Sequence, residues 1–200
     1  MSRTYKVVAA IVIIVVAGYA GWHLYQARRI SKAGILSEKI DHNGDEWTAD
    51  YTASIAAPEP AVYDALRNIE KSHAPGVEAI KVISQAGNSK TVEMDLSGFG
   101  GQTIAMQLAF EYDPATQRVS YHTVDNPMFD SHAEYQLQAD GGGATLITYH
   151  ATTKMLQSMP VPDSIVKSVI RNIFISQLEG LKNSLHITTV DQSDQSDEEP

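Results

Sequence analysis

Across residues 163–186 apolar side chains recur at spacings of three and four, whereas between residues 47 and 155 they recur mainly at spacings of two. The first pattern predicts an amphipathic helix with Val166, Val169, Ile170, Ile173, Phe174, Leu181 and Leu185 on one stripe. Asp163, just after Pro162, is its expected N-cap. Two residues interrupt the apolar face. Gln177 lies one turn from both Ile173 and Leu181, and Gly180 lies almost directly over Ile173. A glycine inside a helix costs about 1 kcal/mol against alanine. The position therefore needs room, either for close packing or for a cavity that Gln177 would also face.

The period of two sets in at Trp47, with Trp47, Ala49, Tyr51, Ala53 and Ile55 pointing one way and Thr48, Asp50, Thr52 and Ser54 the other. A short helix follows, with Pro60 in its first turn and Val62, Leu66 and Ile69 as its apolar stripe. Strands are then expected at 78–84 and 90–96, around the turn Ala86-Gly87-Asn88-Ser89. The clearest strand is 102–112, where Ile104, Met106, Leu108, Phe110 and Tyr112 share a face. Further strands are expected at 118–124, 131–139 and 144–155, separated by turns rich in Asp, Pro and Gly. Strand, short helix, about six strands and long helix is an α+β order: an antiparallel sheet whose apolar face the last helix covers.

Four segments follow from these patterns. Residues 1–29 hold the uncharged apolar run VVAAIVIIVVAGYAGWHLYQA, closed by Tyr19, Trp22 and Tyr25, and about 20 such residues cross a bilayer. An N-terminal transmembrane anchor is expected; the competing reading is a cleaved signal peptide, against which Arg28, Arg29 and Lys32 stand. Residues 30–46 have no clear period and are expected to be a linker, 47–187 the folded domain, and 188–200 a disordered acidic tail. The expected location is a single-pass position in a bacterial inner membrane. Basic residues on both flanks of the run leave the side of the domain open.

The net charge of -9 is uneven: residues 1–43 carry six Lys/Arg against two Asp/Glu, and residues 44–190 carry nine against seventeen. An acidic folded part excludes a nucleic-acid partner from the expectations. There are no cysteines, which removes disulfides and thiolate sites. His122, His132 and His150 fall on the polar parity of their strands and are expected at the surface, and no spacing matches a metal site. The clusters Ser97-Gly98-Phe99-Gly100-Gly101 and Gly141-Gly142-Gly143 lack the Lys-Ser/Thr of a phosphate loop and read as bends. No catalytic residue, metal or cofactor is assigned, and the sequence does not set the oligomeric state.

The segment Thr52-Ala53-Ser54-Ile55-Ala56-Ala57-Pro58-Glu59-Pro60-Ala61-Val62-Tyr63-Asp64-Ala65-Leu66 resembles the strand, Ala-Pro corner and first helix of the START-like (SRPBCC) superfamily. At the other end, Met159-Pro160-Val161-Pro162 leads into a helix with the matching steps Val166, Ile170, Phe174 and Leu178. The resemblance covers about residues 47–187 and departs from many relatives in lacking aromatics across residues 69–74. It implies a helix-grip fold, a sheet wrapped around the C-terminal helix, with a cavity for a lipid, sterol, quinone or polyketide-like molecule. Its wall would include Met106, Leu108, Phe110, Tyr121, Tyr135 and Tyr149 from the strands, and Ile173, Gln177 and Gly180 from the helix. All nine also read as ordinary core residues. The expectation is a membrane-anchored domain that binds or shuttles a hydrophobic molecule. The alternatives are a cyclase/dehydratase-type enzyme and a non-catalytic membrane assembly or adaptor protein.

Overall fold

The structure is a computed structural model that describes residues 33–72, 74–97, 103–157 and 162–193. The apolar run expected to cross a membrane lies outside the described residues. Within them, no helix is long and apolar enough to do so.

The described strands are β1 (Ile35–Asn43), β2 (Glu46–Ile55), β3 (Val77–Ala86), β4 (Ser89–Ser97), β5 (Thr103–Asp113), β6 (Arg118–Val124), β7 (Phe129–Ala139) and β8 (Thr145–Met155). They form one sheet in the order β1-β2-β8-β7-β6-β5-β4-β3. Every neighbouring pair is antiparallel. Helix α1 (Glu59–Arg67) and a 3₁₀ turn (Ile69–Lys71) separate β2 from β3, and the long helix α2 (Asp163–Ser193) ends the described chain. This is the α+β helix-grip arrangement expected from the sequence.

Three expectations need correction. Residues 35–43, read as linker, are β1, an edge strand paired along its length with β2. Its side chains are mostly exposed, so no alternation of apolar and polar residues marks it. Ala33 is nevertheless buried, and Ser54 donates its backbone N–H to the Gly34 carbonyl at 2.9 Å, so the chain enters the fold at a fixed point. Second, α2 continues through Ser193 instead of ending near 186, because each added residue extends a helix already nucleated. Residues 194–200 of the expected tail lie outside the described residues. Third, the buried stripe of α2 is rotated from the expected one: Phe174, Ile175, Leu178 and Leu181 are buried, while Val169 and Ile173 are exposed. Apolar residues occupy so much of this helix's circumference that spacing alone does not select the face.

The inner face of the sheet is built in rows, because facing residues on antiparallel strands share a face. One row runs Tyr112–Val119–Tyr135–Tyr149–Tyr51. The next is Phe110–Tyr121–Ala133–Ala151–Ala49. Beyond it, Leu108 faces Thr123, and Ser131 faces Thr153, which faces Trp47. Met94 faces Met106, and Phe129 faces Met155, at the far end. On β7 and β8 the side chains thus shrink from tyrosines to alanines and hydroxyls before Phe129 and Met155 restore large ones.

β1 holds α2 along one flank. The Arg171 guanidinium donates from Nε to Glu38 Oε2 at 2.7 Å and from its other arm to Glu38 Oε1. His42 Nδ1 lies 3.0 Å from Asp163 Oδ2, its Nε2 lies 2.9 Å from the Gly44 carbonyl, and its ring stacks on Trp47 at 3.9 Å. The first turn of α2 is therefore fixed by polar contacts more than by apolar burial.

Candidate functional site

Under the second half of α2 the inner face is full. Phe174 stacks on Tyr51 at 4.2 Å between ring centroids and leans on Tyr149 at 4.8 Å. Tyr135 lies 4.8 Å from Tyr149, and Phe110 lies 5.2 Å from Tyr121. Each such aromatic contact adds about 0.5–1.5 kcal/mol to the burial of the rings.

Within this aromatic layer sits a connected polar group. The Tyr135 hydroxyl donates to Gln177 Oε1 at 2.8 Å, Gln177 Nε2 donates to the Tyr121 hydroxyl at 3.2 Å, and the Tyr121 and Tyr149 hydroxyls lie 2.9 Å apart. Burial pushes all three phenols up from their ordinary pKa; for Tyr149 the neighbouring tyrosines add to it, and for Tyr121 its two hydrogen bonds oppose it. All three stay neutral through the physiological range. Among the described residues no charged side chain bonds to this group.

Under the first half of α2 the inner face is different. The Thr123 Oγ1 accepts the backbone N–H of Ser131 at 2.9 Å, and the Ser131 and Thr153 hydroxyls lie 2.9 Å apart. Ala133 and Ala151 lie between this hydroxyl stripe and the tyrosine row. Met94, Met106, Val166 and Ile170 are only partly buried against the core, and Ile165, Val169 and Ile173 are exposed. Small and hydroxyl-bearing side chains on the sheet thus go with half-covered apolar side chains on the first half of α2.

The nine expected wall residues divide between these regions. Leu108, Phe110, Tyr121, Tyr135 and Tyr149 are buried on the inner face, and Met106 is half-buried at its open end. Gln177 joins Tyr121 and Tyr135. Ile173 stands 52% exposed on the outer side of α2. Gly180 lies against the segment after the 3₁₀ turn, where an added Cβ would come within 2.6 Å of Ser72 Oγ and 2.7 Å of Ala74 Cβ. The helix thus needs glycine for close approach to that segment. Thr123, Ser131, Thr153 and the alanines were missed by sequence reasoning, although their parity with Tyr121, Tyr135 and Tyr149 would have marked them as inward-facing.

Two surface cavities, of about 190 and 250 Å³, lie at the other end of the sheet around Ser89 and Tyr112, and none of the nine residues lines them. His122, His132 and His150 are exposed on the outer face, as their parity predicts, and His150 Nδ1 lies 2.7 Å from Asp50 Oδ1. Among the described residues no group of three or more His, Asp or Glu is arranged to hold a metal ion.

Comparison with solved structures finds the same fold. The Zhui aromatase/cyclase from Streptomyces sp. R1128 superimposes with a TM-score of 0.62 at 13% identity, over 70% of this chain and 94% of that one. TTHA0849 from Thermus thermophilus gives 0.62 at 16%, over 70% and 98%. A START superfamily protein from Mycobacterium smegmatis gives 0.57 at 15%, over 70% and 98%. Identities this low carry the fold alone. No curated protein matches the chain. The family model for polyketide cyclase / dehydrase and lipid transport proteins matches residues 46–186, from the start of β2 to well inside α2 and without β1. The chain belongs to that START-like family.

Proposed function

We infer that this protein binds a hydrophobic small molecule between the first half of α2 and the inner face of the sheet. The carrying observation is the change in side-chain size along β7 and β8, from the rings packed with Phe174 to alanines and hydroxyls. Half-buried apolar side chains over such a floor supply the largely apolar lining with a few polar groups that is the usual make-up of a small-molecule site. The family, whose name joins cyclases with lipid transport, supports the same reading.

In this reading the N-terminal apolar run is a membrane tether. It joins the domain at Ala33, close to Ser54 and Lys182, whereas the other end of β1 meets Asp163. The nine residues of β1 span roughly 30 Å at about 3.3 Å each. For the groove to reach the tethering bilayer, the domain has to lie along α2 instead of standing on its base.

The test is titration of the full chain with the neutral fluorescent probe N-phenyl-1-naphthylamine. Saturable one-site binding, reduced at least tenfold by Ser131→Leu together with Thr153→Leu, is the expected result. Equal binding by the parent and by a folded double variant would reject a ligand in this groove.

A further inference from the structure

We propose that the outward face of the first half of α2 is a membrane-docking surface, with Ile165, Val169 and Ile173 seated among the lipids of the bilayer that holds the N-terminal run. The inference rests on the tether in the reading above and names the face that the domain turns to the bilayer.

Spacing and exposure define the surface. Ile165, Val169 and Ile173 stand four residues apart on one side of the helix, and each is about half exposed. Phe174, Leu178 and Leu181 hold the opposite side to the sheet. Seven residues beyond Ile173 the same line of the helix reaches Gly180, which lies against Ser72 and Ala74. The fold thus covers this line in one half of α2 and leaves it open in the other. At the end of the sheet where α2 begins, Met128 and Leu156 are also exposed, joined by the Leu156 N–H that donates to the Met128 carbonyl at 2.9 Å. Of the eight large apolar side chains exposed among the described residues, five therefore belong to this half of the helix and its approach.

Charge favours a lipid surface. From Ser164 to Leu178 the helix has no acidic residue, and its two charges are Lys167 and Arg171, within a folded part where acids outnumber bases. Arg171 is closed on Glu38 at the side, and Ser168 returns its hydroxyl to the Ser164 carbonyl at 2.8 Å. Seating the stripe in an interface therefore dehydrates no carboxylate. An anionic bilayer repels the acidic remainder of the domain, so it selects this face.

Chain length favours a bilayer over a second copy of the chain. The apolar run ends at Ala27 and the described chain begins at Ala33, six residue steps that span at most about 20 Å. Gly34, the next residue, lies beside Lys182, and the nine helical residues between Lys182 and Ile173 cover about 14 Å. A bilayer held by the run is thus always within reach of the stripe, whereas a second copy meets it only by diffusion.

The chain has no cysteine, so a single introduced one can be labelled cleanly. The full chain carrying Val169→Cys, or His132→Cys on the outer face of the sheet as control, is labelled with nitrobenzoxadiazole. It is then reconstituted into phosphatidylcholine and phosphatidylglycerol vesicles with and without a nitroxide-bearing lipid. The label at 169 is expected to lose most of its fluorescence to the nitroxide, and the label at 132 to keep most of its own. Ile165→Ser with Ile173→Ser, both at exposed positions, is expected to bring the loss at 169 down to that at 132. Alkaline carbonate extraction of the same vesicles tests the tether separately. In a chain that resists extraction, equal quenching at both labels, or a loss at 169 that the serine pair leaves unchanged, would overturn the docking face and leave the tether standing. A label at 169 that shifts to the blue without being quenched would overturn it in favour of a second copy. Release of the chain by carbonate would overturn the tether and the docking face together.

Discussion

The two halves of α2 lie on the same sheet and are held by different physics. From Phe174 onward the helix is anchored by rings and buried aliphatic side chains on the tyrosine row. From Asp163 to Ile173 it rests on half-covered apolar residues and is fixed at the side by Glu38 and His42 of β1. Dense packing specifies one arrangement, while polar contacts at a partly exposed edge can be remade at small cost. One half is thus the scaffold and the other, in the function proposed, the part that yields to a ligand. The family model begins at residue 46, so the strand that secures the yielding half lies outside the residues it matches.

The largest predicted effect breaks the scaffold half. Phe174→Ala should cost about 3–5 kcal/mol in chemical denaturation, because it removes a fully buried ring. Its neighbour Ile173→Ala, one residue away and half exposed, should change stability by no more than about 0.5 kcal/mol. Similar losses at the two positions would erase the distinction. Next in size is Gly180→Ala. Helix propensity alone favours it by about 1 kcal/mol, but the new Cβ would press on Ser72 and on the Ala74 backbone, 2.9 Å from its Cα. A net loss of about 1–2 kcal/mol is expected, the low end of overpacking; a net gain would show that the 72–74 segment moves freely.

The smallest effect is spectroscopic and leaves neutral-pH stability untouched. The phenols of Tyr51, Tyr112, Tyr121, Tyr135 and Tyr149 are all pushed up by burial. A phenol whose folded pKa exceeds its unfolded value contributes stability that is intact below about pH 10 and is lost as the pH rises toward the folded value. Tyrosinate absorbance should therefore lag behind that of free tyrosine above about pH 10 and then rise together with loss of tertiary circular dichroism. Smooth ionisation of all tyrosines near pH 10 in the folded protein would contradict the buried network.

Much of this was legible in the chain. Alternation located β2 and β4–β8, and the three-four spacing located α2, because those elements bury one face. β1 was not legible, since an edge strand with outward-facing Ser37, Lys39 and Asp41 carries no apolar alternation. The tyrosines and Gln177 could be named as inward-facing, but not their bonding to one another, which depends on the crossing of α2 over the sheet. Ile173 was misplaced because apolar residues surround so much of the helix. The hydroxyl stripe was overlooked because Thr and Ser look like surface residues until strand parity is applied to them.

The central claim is that the chain carries a hydrophobic molecule against the half of the inner face that bears alanines and hydroxyls. The most direct measurement is mass spectrometry of an organic extract of the purified full chain beside its Ser131→Leu, Thr153→Leu variant. A stoichiometric hydrophobic compound, present in the parent and depleted in the folded variant, is the predicted result. An identical extract from both proteins, or none from either, would contradict it.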